Sequence, residues 1–237
     1  MSGNKDIALQ AIQEMFVDAE PGADRWTGDN SAGELRFVLN RQPDILDYRL
    51  ARVIADEEMV ALHGVYRCVG TTGFVVAFDV FRIAAGKLAE HWTVRQPVVY
   101  VTRSGRTQFD GPTEVIVPEQ TEVSRAIVVR FLQNVVFGGK LERIAEFIDE
   151  RFAQHNPDIA DGIEALHAAL GAAGIPLRDP LLRYTVAEGE FVLTMSEALR
   201  GDTPIVFYDL YRVAGDKIVE HWDVIHRIPV TYAGSHS

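Results

Sequence analysis

The 237-residue sequence predicts an α+β fold in two tandem units, each with helices followed by a run of antiparallel strands. An internal repeat is the first ground. Asp79-Val-Phe-Arg-Ile-Ala-Ala-Gly-Lys-Leu-Ala-Glu-His-Trp-Thr93 aligns without a gap on Asp209-Leu-Tyr-Arg-Val-Ala-Gly-Asp-Lys-Ile-Val-Glu-His-Trp-Asp223, with half of the positions identical through Val94 and Val224 at a period of 130 residues. A period this long is the size of a domain, so it means two related domains and not a solenoid. The second ground is that each repeat ends a series of β-rich segments. The third is that amphipathic helical patterns precede those segments. The units divide at 1–101, a linker at 102–121, and 122–237.

In chain order, Ala8, Ile12, Met15 and Phe16 give residues 5–18 a helical stripe. Turn formers break it between Pro21 and Gly33, and a short helix is expected over 32–40, before Gln42-Pro43. Strands follow at 46–55, 58–69, 73–83 and 87–101, rich in Val, Ile, Phe and Tyr. The linker carries Ser104-Gly105, Asp110-Gly111-Pro112 and Pro118, with Val115-Ile116-Val117 as a short edge strand. In the second unit, Val123, Ile127, Phe131 and Val135 mark a long helix stopped by Gly138-Gly139. Leu141, Ile144, Ala145 and Ile148 mark a second helix. A third begins at Asp161, with Glu164 at capping-box spacing. Strands are expected at 181–188, 190–200, 204–214 and 217–230.

Composition narrows the function classes. Apolar content of 47% and a charged fraction of 24% are ordinary for a globular chain. A net charge of −11 argues against nucleic-acid and anionic-membrane partners, which need a basic surface. Cys68 is the single cysteine, so neither an intrachain disulfide nor a multi-cysteine metal site can form. No apolar run approaches a membrane span and no signal-type segment opens the chain, so a cytoplasmic location is expected.

The residues with chemistry gather on the second repeat hairpin. A three-residue Ala-Gly-Asp loop pairs Val213 with Lys217, places Asp209 opposite His221 and Phe207 opposite Asp223, and puts Asp209, His221 and Asp223 on one face. On a buried face a carboxylate loses solvation, its pKa rises, and it can exchange a proton with a carbon acid. Arg212, Lys217 and Glu220 fall on the other face or in the turn, as solvated or interface residues. His155-Asn156, between helices and before Pro157, are the second candidate, as polar groups at a pocket mouth. His63, in a first-unit strand where the second has Met195, has the pattern of a satisfied core histidine. His221 and Asp223 have strand spacing for a metal, but no third ligand is indicated. No phosphate-binding Gly-rich loop and no nucleophile elbow is present.

The order of elements, Gln154-His-Asn-Pro157 and the terminal Lys-Ile-Val-Glu-His-Trp-Asp-Val resemble the SnoaL-like polyketide cyclase family of the NTF2-like superfamily, over residues 122–230, with 5–101 a diverged copy. The resemblance implies two cone-shaped α+β barrels, each a curved antiparallel sheet around helices and an apolar pocket. It implies an acid/base enzyme without metal or organic cofactor, closing a ring by aldol condensation or isomerising a small hydrophobic carbonyl compound. By that resemblance Asp223 is the acid/base residue and Asp209 lines the pocket; the residue pattern adds His221 as orienter or partner and His155, Asn156, Tyr184 and Phe207 as expected substrate contacts. The first copy keeps His63, Asp79 and His91 but has Thr93 where the second has Asp223, and reads as degenerate. Face-to-face sheet packing would make the chain an internal pseudo-dimer, open to further self-association. The alternative class is a small-molecule-binding protein that uses the pocket without turnover.

Overall fold

A computed structural model describes residues 2–13, 45–68, 73–172 and 177–228. The first unit has helix α1 (Ser2–Ile12) and strands β1 (Ile45–Asp56), β2 (Met59–Cys68), β3 (Phe74–Ala84) and β4 (Lys87–Pro97). They form a four-stranded antiparallel meander in the order β1-β2-β3-β4. The second unit has helix α2 (Thr121–Phe131), strand β5 (Ile148–Gln154), helix α3 (Ile163–Ala172) and strands β6 (Leu177–Glu188), β7 (Phe191–Arg200), β8 (Thr203–Ala214) and β9 (Lys217–Arg227). Its sheet order is β5-β9-β8-β7-β6. The expected helix at 32–40 lies outside the described residues. Among those described, no helix is long and apolar enough to cross a membrane.

Three expectations need correction. Residues 132–136 leave α-geometry for a π-helical turn and residues 141–146 form a 3-10 helix, so the two helices before the Asn-Pro are shorter than their periodicity implies. Residues 148–154 are a strand, β5, which runs parallel to β9. Val115–Val117 is not a strand: the Ile116 and Val117 amides donate to the Glu190 carboxylate and not to a neighbouring strand.

Alternation along the strands gives each sheet two apolar faces. One face of the first sheet, with Leu62, Tyr66, Ala77 and Phe81, covers α1 through Ala8, Ala11 and Ile12. One face of the second sheet, with Val192 and Tyr211, packs on Ile127, Val128 and Phe131 of α2 and on Leu166 of α3. The opposite faces meet each other: Phe78, Val80, Trp92 and Val94 pack with Leu193, Met195, Tyr208, Leu210, Trp222 and Val224. At about 1.5–3 kcal/mol for each large apolar side chain taken from water, this sheet-on-sheet layer is a major source of stability. Register across it is held by Gln96 of β4, whose amide donates to the Asp223 carbonyl at 3.3 Å and accepts from the Ile225 N–H at 3.2 Å. Trp92 and Trp222, equivalent in the repeat, both lie in this layer, and this is why Glu-His-Trp recurs.

Candidate functional site

The repeat hairpin closes differently from the expected register but reaches the same face. Ala214 pairs with Lys217 around a two-residue turn, where Gly215 takes φ 62°, and Val213 pairs with Ile218. A bulge then leaves Val219 unpaired, so Arg212 meets Glu220 and Asp209 meets Asp223. The extra residue restores the parity that the shorter turn would have reversed. Tyr211, not Asp209, lies opposite His221, and Ile225, not Asp223, lies opposite Phe207. The first-unit hairpin has the same bulge and pairs Asp79 with Thr93.

Asp209, His221 and Asp223 line one wall of a cavity of about 450 Å³, with Phe207, Tyr211 and Asn156. Phe131, Val135, Phe152 and Leu166 supply apolar lining. His221 is 7% exposed, and both ring nitrogens face oxygen acceptors: Nε2 is 3.0 Å from Asp209 Oδ1 and Nδ1 is 3.0 Å from Gln154 Oε1. Burial alone would lower its pKa, but the Asp209 hydrogen bond and the charges of Asp223 and Asp209 outweigh it and hold the imidazole above its ordinary value. Tyr211 stacks on the ring at 4.8 Å. Burial, reinforced by Asp209 and Asp223, raises the Tyr211 phenol well above its ordinary value, so it remains a donor.

Asp223 differs from its neighbour. Its Oδ2 accepts from Asn156 Nδ2 at 2.7 Å, while Oδ1, buried, has no hydrogen-bond partner among the described residues. Burial raises its pKa and the Asp209 charge adds to this, against the opposing pull of protonated His221 and the Asn156 hydrogen bond. An unpartnered oxygen on a carboxyl of raised pKa, in an apolar cavity, can take a proton from carbon and return it.

The segment Gln154–Asn156 positions both groups. It follows β5 alongside β9, where Gln154 pairs with His221. Gln154 Oε1 accepts from His221 and from the Asn156 N–H at 2.9 Å. Gln154 was legible only as part of a motif, without a role of its own. Tyr211 was also missed, although its place two residues from Asp209 on one strand put it on the same face.

Other expected site residues lie elsewhere. His155 does not line the cavity; it is turned to the inter-unit side, stacked on Trp222 at 4.5 Å, with Nε2 2.9 Å from Glu220 Oε1 and Nδ1 2.7 Å from the Thr107 carbonyl. Between Gln154, which bonds His221, and Asn156, which lines the cavity, on an extended segment it points the other way. Tyr184 also lies outside the cavity lining, with its ring 5.3 Å from that of Trp92. Glu220, expected on a solvated or interface face, is buried on the inter-unit side, where it also accepts from Arg212 at 2.7 Å.

In the first unit, His91 Nε2 lies 2.9 Å from Asp79 Oδ1 and Phe81 stacks on His91 at 4.3 Å, as Tyr211 does on His221. Tyr66 donates to the other Asp79 oxygen. Burial would raise the Asp79 carboxyl, but the bonds from His91 and Tyr66 and the charge of Arg95 hold it below its ordinary value. Thr93 accepts from Arg95 Nε at 3.3 Å. His63 is not with this group. It faces the second unit, accepts from Arg52 at 3.0 Å and stacks on Phe78 at 4.3 Å. Burial and the neighbouring Arg52 and His155 lower its pKa well below the ordinary value.

A third metal-compatible residue does exist, contrary to expectation: Asp209, His221 and Asp223 offer ligand atoms within 4.8 Å of one another. A metal there would have to displace the His221–Asp209 hydrogen bond.

No protein-family model matches the chain, and no curated protein matches it. Solved structures do. They include an NTF2-like protein of unknown function from Burkholderia xenovorans, at 14% identity and TM-score 0.41, covering 48% of this chain and 89% of its own. A steroid delta-isomerase from Pseudomonas aeruginosa gives 16% and 0.38, over 46% and 81%. A SnoaL-like polyketide cyclase from Agrobacterium tumefaciens gives 15% and 0.37, over 44% and 91%. Each of these likenesses is one of fold, and each spans about half of this chain.

Proposed function

We propose that the second unit is an acid/base enzyme acting on a small hydrophobic carbonyl compound, in an aldol-type cyclisation or an isomerisation, without a cofactor. One observation carries this reading: Asp223, a carboxyl of raised pKa with one oxygen left without a hydrogen-bond partner, lines an apolar cavity. Asp223 takes the proton next to the substrate carbonyl. Protonated His221, fixed by Asp209 and Gln154, stabilises the carboxylate before transfer, and Tyr211 and Asn156 are donors on the same wall. The first unit contributes the facing sheet of an internal dimer and no chemistry, since Thr93 cannot serve as a base at neutral pH.

The test is carbon-acid exchange. Hydrophobic ketones are incubated in D₂O with protein, and loss of the α-proton signal is followed by NMR. Wild type should exceed the buffer rate, and Asp223→Asn, which keeps shape and removes the base, should lose about 100-fold or more. A folded Asp223→Asn protein exchanging at the wild-type rate would refute the assignment. Recognition without turnover is the second reading. It draws on the first unit, where an equivalent Asp–His pair persists with the Asp79 carboxylate bonded to both Tyr66 and His91. It predicts binding of these ketones with no exchange above buffer in the wild type.

A further inference from the structure

The cavity has a second polar feature at the far end of the sheet. Arg200 closes β7 and pairs with Thr203, the first residue of β8. Asp209 lies six residues further along β8, roughly 20 Å of strand at about 3.3 Å per residue. The Arg200 side chain lines the cavity with Leu177, Ile205, Phe207 and Ile225. Its Nε is buried without a hydrogen-bond partner, and the guanidinium makes no hydrogen bond or ion pair among the described residues. Of the other arginines on this sheet, Arg178 pairs with Asp202, Arg183 with Glu197 and Arg212 with Glu220, while Arg151 and Arg227 are not among the cavity's lining residues. A guanidinium that lines an apolar cavity and has no acceptor of its own can pair there with a carboxylate or phosphate through its N–H donors.

We infer that the cavity ligand is an amphiphilic anion: an apolar skeleton whose acidic group pairs with Arg200 while its other end reaches Asp223. The orientation rests on the acid/base reading above; the anion site does not. Asp209 and Asp223 repel a second negative charge at their end, so the two ends of the cavity favour one direction of entry. The repeat supports pairing the two features. β2 and β7 are both ten residues long, and Met59 and Phe191 pair with the equivalent Arg82 and Arg212, which puts Cys68 at the position of Arg200. The unit that has Thr93 in place of Asp223 also lacks the arginine.

The experiment is calorimetric titration of the full chain with octanoate, octyl phosphate and octan-1-ol, which share one apolar chain. Wild type is expected to bind at least one of the two anions about tenfold or more tightly than the alcohol. Arg200→Gln should abolish that preference with alcohol affinity unchanged, and Arg200→Lys should keep part of it. Asp223→Asn should keep all of it, so loss of exchange in that variant and loss of anion preference in Arg200→Gln report on different claims. The tighter of the two anions assigns the head group. Binding of none of the three, equal binding of acid and alcohol, or a preference that survives Arg200→Gln would overturn the inference.

Discussion

Replacing Asp223 by Asn should make the protein more stable, by an amount that grows with pH. In the wild type, burial, with the Asp209 charge, lifts the Asp223 carboxyl above its ordinary range despite His221 and Asn156. An aspartate titrates at about 3.9 in the unfolded chain. When the folded value is higher, the contribution to stability is fully present below the unfolded value and is lost as pH rises through the folded one. Each pKa unit of elevation costs the folded state about 1.4 kcal/mol once the group is ionised. Asparagine has no such titration, can still accept from Asn156, and leaves His221 with its Asp209 partner. The two proteins should therefore be equally stable near pH 4. At pH 8 the variant should be the more stable, and each kcal/mol gained is about 2–4 °C in unfolding midpoint for a chain of this size. Thermal unfolding followed by circular dichroism across that range reads the difference, which includes the smaller elevation of His221 once the Asp223 charge is gone. A variant that loses ground as pH rises would show that the fold favours the charged carboxylate, and a difference that does not change with pH would show that the carboxyl is not raised at all. The case for Asp223 as a base would then fail.

Two further outcomes follow from groups around the site. Gln154→Leu removes the acceptor shared by His221 Nδ1 and the Asn156 N–H, so turnover should fall by about 100-fold with a smaller change in KM, measured by the same exchange assay. Glu220→Gln should destabilise the protein by about 3–5 kcal/mol in urea unfolding at pH 7, because it breaks a buried cluster with His155 and Arg212. Burial would raise the Glu220 carboxyl, but those two partners hold it below its ordinary value, so its contribution is present above the unfolded value of about 4.3 and lost as pH falls through the folded one. The gap between Glu220→Gln and wild type should accordingly narrow in acid.

The strands and the face of the hairpin were legible because both depend on a period of two. Expected and observed pairings differ by two positions in total, and an even slip leaves Asp209, His221 and Asp223 together. The bulge at Val219 was not legible, since nothing in Lys-Ile-Val-Glu marks which residue stays unpaired. Strand β5 was hidden for another reason. Asn156-Pro157 reads as the end of a helix, and a seven-residue strand exposed at its middle carries little alternation. Missing β5 cost the placement of His155: next to a strand its side chain must oppose those of Gln154 and Asn156, whereas on a helical turn it could share their pocket.

The first unit acts as an internal control on what the Asp–His pair means. Both units hold an aspartate against a histidine at 2.9–3.0 Å, under a stacked aromatic ring. That arrangement alone therefore does not mark a site. Two neighbouring positions separate the units. Tyr66 pairs with Val75, and Ala198 with Ile205, which makes the two residues equivalent across the repeat. The tyrosine donates to Asp79, whereas the alanine, packed with Ile205 and Phe207, offers Asp209 no such donor. Thr93 and Asp223 are the other pair. Removing a donor from an Asp–His pair and adding a second carboxylate of raised pKa beside it are unfavourable for stability, and in the second unit they occur together. The proposed acid/base role therefore turns on Asp223 and not on the Asp–His pair that both units share.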